Sequence, residues 1–201
     1  NGTMAFNLIS QNSNISTQPD ITISYHESQI DADTNLNAIS SPFESGNTTI
    51  YVRVENNSNT TCFATSSFNL EVYESAFPTE PSNMTRLQEC DNTSVGTDVD
   101  GFITFDLTQK ETEILNGQSP TDFSISYFTD ATYTSIIPTP SNFNNTVAGL
   151  QTIYVRVSNN AFTDCYTDTT FEIEAFSLPQ VNMPTNYAQC DDDSNDGQAF
   201  F

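Results

Sequence analysis

Apolar residues in this chain recur at every second position. Phe102-Ile103-Thr104-Phe105-Asp106-Leu107 alternates, and so do Phe123 to Tyr127, Thr152 to Val157 and Thr170 to Phe176. In the last of these, Phe171, Ile173 and Ala175 fall on one face and Glu172 and Glu174 on the other. A period of two is the mark of a strand with one face in the core and one in water. Ser158-Asn159-Asn160 begins the turn that joins the final two strands into a hairpin. One short helix is predicted over Thr108 to Leu115, with Thr108 as N-cap, Glu111 three residues later and Gly117 ending it.

The pattern repeats. Ile50 to Val54 recurs as Ile153 to Val157, and Cys62 followed by Phe68 recurs as Cys165 followed by Phe171, all at an offset of 103. Ile23-Ser24-Tyr25 recurs as Ile125-Ser126-Tyr127. Cys90-Asp91 recurs as Cys190-Asp191, after which Asp196-Gly197 and Phe201 restart the Asp100-Gly101 and Phe105 pattern. The expected fold class is all-β, with tandem Ig-like antiparallel β-sandwich repeats of about 100 residues. Residues 1–77 read as a repeat lacking its N-terminal segment, 78–179 as a complete one and 180–201 as the start of a third. Asn1 begins in mid-pattern, so the stretch reads as a window on a longer chain. Prolines mark the seams, at Pro78 and Pro81 and again at Pro179 and Pro184. Proline fixes φ and withholds a donor, so a semi-rigid rod is expected.

Charge then narrows the partners. The chain carries 26 Asp and Glu against 4 Lys and Arg, a formal charge of −22. Such a surface repels nucleic acid and anionic lipid and attracts cations, so neither nucleic acid nor membrane insertion is expected. No apolar run approaches the roughly 20 residues a membrane helix needs. Low hydrophobicity with high charge can mean disorder. The strict alternation and 15 Phe with 8 Tyr argue for a packed core instead.

Four cysteines with a single histidine make a metal site implausible and disulfides in an oxidising, extracellular setting the better reading. Two pairings respect the repeat: Cys90 with Cys165 inside one unit, or Cys62 with Cys90 and Cys165 with Cys190 across seams. The first is favoured, because the next unit's start should lie a strand length away, about 20 Å. Cys62 and Cys190 would then pair outside residues 1–201. Closing the Cys90–Cys165 loop would contribute about 4 kcal/mol in the chain-entropy picture.

The Asp-rich openings are the candidate cation sites. Asp91, Asp98 and Asp100 surround a Gly-containing loop, and Asp191 to Asp193 with Asp196-Gly197 form its later counterpart. Calcium, which takes six to eight oxygens, is the cofactor such loops would hold. The bland alternative is that Asp-Gly makes the turn into a strand. Arg53 and Arg156 occupy matching positions and read as structural arginines neutralising nearby carboxylates. His26 has no counterpart in the second repeat and reads as solvated surface. Tyr51 and Tyr154, opposite the core-facing valines, are candidates for an aromatic glycan platform. No catalytic constellation is evident, so the chain is not expected to be an enzyme. Sequons at Asn1, Asn14, Asn47, Asn56, Asn59, Asn83, Asn92 and Asn144 matter only in a host that glycosylates them.

The ordered set Cys90-Asp91, Asp100-Gly101, Phe105 to Thr108, Ile114 to Gln118, Ser126-Tyr127, Ile153 to Val157, Cys165-Tyr166 and Phe171 to Ile173 resembles the repeats of giant Bacteroidetes cell-surface adhesins. Those are the adhesins exported by the type IX secretion system and linked to gliding motility. Asn7 departs from the pattern, standing where the second repeat has Asp106. The resemblance implies a stalk or filament segment outside the outer membrane of a Gram-negative cell. It also implies neighbouring repeats, accessory surface proteins or other filaments as partners. Asp168-Thr169-Thr170 resembles the short Asp-Thr motif of Bacteroidetes O-glycosylation, which makes Thr169 a candidate acceptor. Two alternatives remain: a glycan-binding module, and a spacer in a secreted multidomain hydrolase.

Overall fold

The structure, a computed structural model, describes residues 2–188 and Cys190. From the first sequence repeat come β1 (Met4–Phe6), β2 (Ile21–His26), β3 (Phe43–Ser45), β4 (Thr48–Asn56) and β5 (Asn59–Leu70). From the second come β6 (Leu87–Cys90), β7 (Thr104–Phe105), β8 (Phe123–Phe128), β9 (Phe143–Asn144), β10 (Leu150–Asn159) and β11 (Tyr166–Phe176). Short α-helices α1 (Asn12–Ile15), α2 (Gln29–Thr34) and α3 (Glu111–Leu115) accompany them. The architecture is all-β and sandwich-type. Its sheets have the orders β1-β3, β2-β4-β5, β7-β9 and β6-β11-β10-β8. Of the expected third repeat, residues 191–201 lie outside the described residues.

Packing divides the chain into two compact units. One comprises residues 2–84, 109–138 and 153–171; the other comprises 85–108, 139–152 and the described residues from 172 on. The division does not follow the sequence period, because β10 and β11 each run through both.

In the first unit, β4 pairs antiparallel with β2 and β5, setting Val52 opposite Tyr25 and Ile50 opposite Phe68. Leu8, Tyr25, Ile50, Val52 and Leu70 are buried together, with Val54 and Phe68 among the side chains packed on them. Each such side chain removed from water contributes about 1.5–3 kcal/mol. In the same unit, β8 pairs antiparallel with Tyr154–Asn159 of β10, and Val155 and Val157 are fully buried. The Tyr127 ring rests edge-on against Phe171, 6.5 Å between centroids.

In the second unit, β6 runs parallel to the Ile173–Phe176 end of β11, an exception to the antiparallel expectation. Ile173 and Ala175 are buried, while Arg86 bridges Glu172 (2.6 Å) and Glu174 (3.2 Å) on the other face. Phe105 of β7 and Phe143 of β9 pair with each other and are buried, as is Ile103.

Two local expectations change. The helix expected over Thr108 to Leu115 is split into a 3₁₀ turn, Leu107–Lys110, and α3. Thr108 is no N-cap; its backbone N–H (3.0 Å) and hydroxyl (2.5 Å) both donate to Asp106 Oδ1. Asn116, at φ 50, ends the helix before Gly117. The sequence reading missed α2, although Ser28 Oγ caps it by accepting from Asp31 N at 3.1 Å. The return from α2 also overturns the reading of His26, which is fully buried. Its Nδ1 donates to the Leu36 carbonyl at 2.7 Å, and its Nε2 lies 2.9 Å from Ser24 Oγ.

Candidate functional site

A densely bonded polar region of the first unit is the stretch after β5, from Glu71 to Thr79. A connecting segment must satisfy its backbone groups somewhere, and here side chains do it. Asn159, buried at the end of β10, donates from Nδ2 to the Glu74 carbonyl at 3.0 Å. Its Oδ1 accepts from Ala161 N and Phe162 N, so one amide shapes the β10–β11 turn and holds the passing chain. Gln118 clamps the stretch from the other side, accepting from Phe77 N at 2.7 Å and donating to the Ser75 carbonyl. Thr167 Oγ1 donates to the Ala76 carbonyl and Thr169 Oγ1 to the Thr79 carbonyl, both at 2.7 Å. Thr79 N donates to the Ile114 carbonyl at 3.1 Å. Tyr73 stacks on Phe162, with centroids 5.0 Å apart and rings 16° from parallel. Each net hydrogen bond is worth about 0.5–1.5 kcal/mol. The segment is thus seated, not merely stiffened by Pro78. Beside it lies a cleft of about 560 Å³, lined among others by Phe77, Glu80, Asn83 and Asp168.

Two of the cysteines flank strands. Cys165 closes the β10–β11 turn, its N–H donating to the Phe162 carbonyl and its carbonyl accepting from Asn159 N. Cys90 ends β6 opposite Phe176, and Asp91 N donates to the Phe176 carbonyl at 2.7 Å. The eleven residues of β11 therefore run between Cys165 and the residue Cys90 faces. At about 3.3 Å per residue that is roughly 35 Å of strand, against the roughly 4.4–6.8 Å between Cα atoms that a disulfide spans. The favoured Cys90–Cys165 pairing is corrected on this ground. It assumed that Cys90 lies at the start of its unit, but β6 pairs parallel with the far end of β11. All four cysteines are free, with Cys62, Cys90 and Cys190 exposed and Cys165 partly covered.

The acidic loop serves its own backbone. Asp91 is buried, and its Oδ2 accepts from Gly101 N at 2.6 Å while its Oδ1 accepts from Asn92 N. Asp100 accepts from Thr97 N and Phe102 N, and these bonds hold its carboxyl below the ordinary aspartate range. The Asp98 carbonyl accepts from Leu178 N at 3.1 Å. Asp91, Asp98 and Asp100 do not converge on a shared ligand position, and no group of three metal-ligating side chains occurs among the described residues. The Asp-Gly turn itself is required: Gly101 has φ +80, and a Cβ there would meet Gly149 N at 2.8 Å. The counterpart loop from Asp191 to Gly197 lies outside the described residues.

Both matched arginines are structural. Arg53 is buried, pairs with Glu55 at 2.8 Å, donates to the Ala32, Asp33 and Thr60 carbonyls and lies 3.6 Å over the Phe63 ring. Arg156 grips both oxygens of Asp168 (2.7 and 2.9 Å) between the Tyr166 and Tyr133 rings. Tyr154 stands edge-on to Tyr133 instead of presenting an open face, and Tyr51 is half-buried. Thr169 is corrected as a glycosylation candidate: it is buried and its hydroxyl is committed to the Thr79 carbonyl. Sequence reasoning gave no role to Gln118, named only within the Ile114–Gln118 stretch, and passed over Thr167. Asn159 was read only as a turn residue, though its match in Asn56, whose Oδ1 also accepts from its own turn, was a signal.

The chain is all-β, with Cys90 at the end of β6 and Cys165 just before β11. The chain belongs to the Flavobacterium inter-domain disulphide bond domain family, whose profile matches residues 1–77 and 86–179. No curated protein matches it.

Proposed function

We propose that this chain is a non-catalytic stalk segment of a large extracellular adhesin, in which serial β-sandwich domains are joined by seated connections and locked by disulfides between domains. The observation that carries the reading is the Glu71–Thr79 stretch, whose carbonyls at positions 74–77 and 79 are all bonded to side chains of the second family match. A joint so bonded transmits force and orientation instead of acting as a loose tether. The family's name supplies the disulfide, and disulfides persist in oxidising surroundings, which supports an extracellular, outer-membrane-associated location. Neighbouring domains of the same chain are the first partners; accessory surface proteins or other filaments are further ones. Gliding or surface attachment would use the reach of such a rod. The test is protease treatment of intact cells with detection by an antibody against this segment. Loss of the segment while cytoplasmic markers survive is expected, and full protection would overturn the surface reading.

A second reading rests on the aromatic group of Tyr133, Tyr154 and Tyr166 around Arg156, of which Tyr166 is 47% exposed. It would make the same domain a glycan-binding module. Glycan-array binding that is lost in Tyr166→Ala would establish it; a blank array would remove it.

A further inference from the structure

The ladder register and the repeat offset together identify which cysteine each cysteine meets. We propose that the cysteine ending the first strand of one domain bonds to the cysteine opening the last strand of the following domain. This rests on the inter-domain disulfide reading above and specifies its register.

The argument starts at the far end of β11. There Cys90 faces Phe176 across a parallel ladder, at the point where the chain leaves the domain. The repeat offset of 103 that relates Phe171 to Phe68 places Tyr73 as the counterpart of Phe176. Tyr73 is the residue stacked on Phe162, and Phe162 belongs to the turn that Cys165 closes. A cysteine standing to Tyr73 as Cys90 stands to Phe176 would lie one strand spacing away, about 4.8 Å. It would sit beside the turn that carries Cys165, facing it across the Tyr73–Phe162 stack. That cysteine belongs to the first strand of the domain before.

The same step runs forward. Phe176 is 47% exposed, a ring free to receive the hairpin turn of a following domain as Tyr73 receives Phe162. Cys90 beside it would bond to the cysteine in that turn. Cys62 occupies the position of Cys165 one repeat earlier, and Cys190 that of Cys90 one repeat later. No two of the four belong to one bond. Each bond forms by thiol–disulfide exchange: two thiols give up two protons and two electrons, and a disulfide oxidant takes them up as two thiols.

The test is non-reducing peptide mapping of the full-length protein, isolated from cells with free thiols blocked by alkylation. The expected result links the Cys90 peptide to the last-strand cysteine of the next domain, and the Cys165 peptide to the first-strand cysteine of the previous one. Links from Cys62 to Cys90 and from Cys165 to Cys190 would overturn this register while leaving an inter-domain disulfide standing. A Cys90–Cys165 link, or four alkylated thiols, would overturn both. In Cys165→Ser, the newly alkylated thiol should appear in the preceding domain; its appearance at Cys90 would also refute the register.

Discussion

Asp91 shows how a residue of the acidic surface is spent inside the fold. Its carboxylate reaches the Gly101 amide within a turn where a Cβ at Gly101 would strike Gly149. Asp91→Ala leaves that buried amide without its acceptor, and a loss of about 1–3 kcal/mol is expected in urea unfolding. If the loop also held calcium, chelator would lower the melting temperature; the committed carboxylates predict no shift for this loop. Asp130 makes a pH prediction. Its carboxylate accepts from Thr132 N (2.9 Å) and Ser135 N (2.6 Å), and bonds from the Thr132 side chain and the Ser135 amide hold it far below the ordinary aspartate range. A depressed folded value means that its stabilising contribution is complete above the unfolded value of about 3.9. It is lost as pH falls from there through the folded value. Carboxyl-carbon NMR should place the Asp130 midpoint well below that of a free aspartate; a midpoint at or above it would refute these hydrogen bonds.

Asn159 serves the β10–β11 turn and the Glu74 carbonyl at once, and Gln118 holds Phe77 and Ser75. Replacing both with Ala should free the stretch before Pro78 without emptying the core. The expected outcome is a new proteolytic site near Phe77, with unfolding lowered by roughly 1–3 kcal/mol for two bonded side chains. Unchanged proteolysis would show that the bonds from Thr167, Thr169 and Asn116, with the Tyr73–Phe162 stack, suffice to hold the segment. On β11 the two faces predict different costs. Ile173→Ala should lose about 2–5 kcal/mol by cavity formation. Arg86→Ala, which breaks pairs with the partly exposed Glu172 and Glu174, should cost at most about 1 kcal/mol and less in high salt.

For the whole molecule, the charge of −22 and the use of its few cations go together. All four basic residues are in ion pairs with carboxylates of this chain: Arg53 with Glu55, Arg86 with Glu172 and Glu174, Lys110 with Glu113, and Arg156 with Asp168. The remaining carboxylates repel one another along the chain, which works against lateral association. Single-molecule pulling on the full-length protein checks the proposed locking. Domains joined by disulfides should yield short extension steps that lengthen on adding reductant, and identical traces with and without reductant would argue against load-bearing bonds.

Period two in Thr170 to Phe176 was enough to assign β11, its buried Phe171, Ile173 and Ala175 and its outward Glu172 and Glu174. Side-chain alternation is a local consequence of the pleat and needs no knowledge of neighbours. The offset of 103 likewise announced Arg53 and Arg156 as equivalents. What the alternation could not say was which strands lie side by side, because pairing joins residues far apart in sequence. Leu87–Cys90 is too short to show a period, yet its parallel run beside Phe176 moved Cys90 to the far end of β11. His26 and Thr169 carry no local mark of burial either; the return from α2 covers one and the Thr79 carbonyl engages the other. The sequence by itself determined the long alternating strands, their repetition and the positions of the cysteines along the chain. Only tertiary structure decided where the cysteines stand, since a strand end is brought near another by the chain's long-range packing.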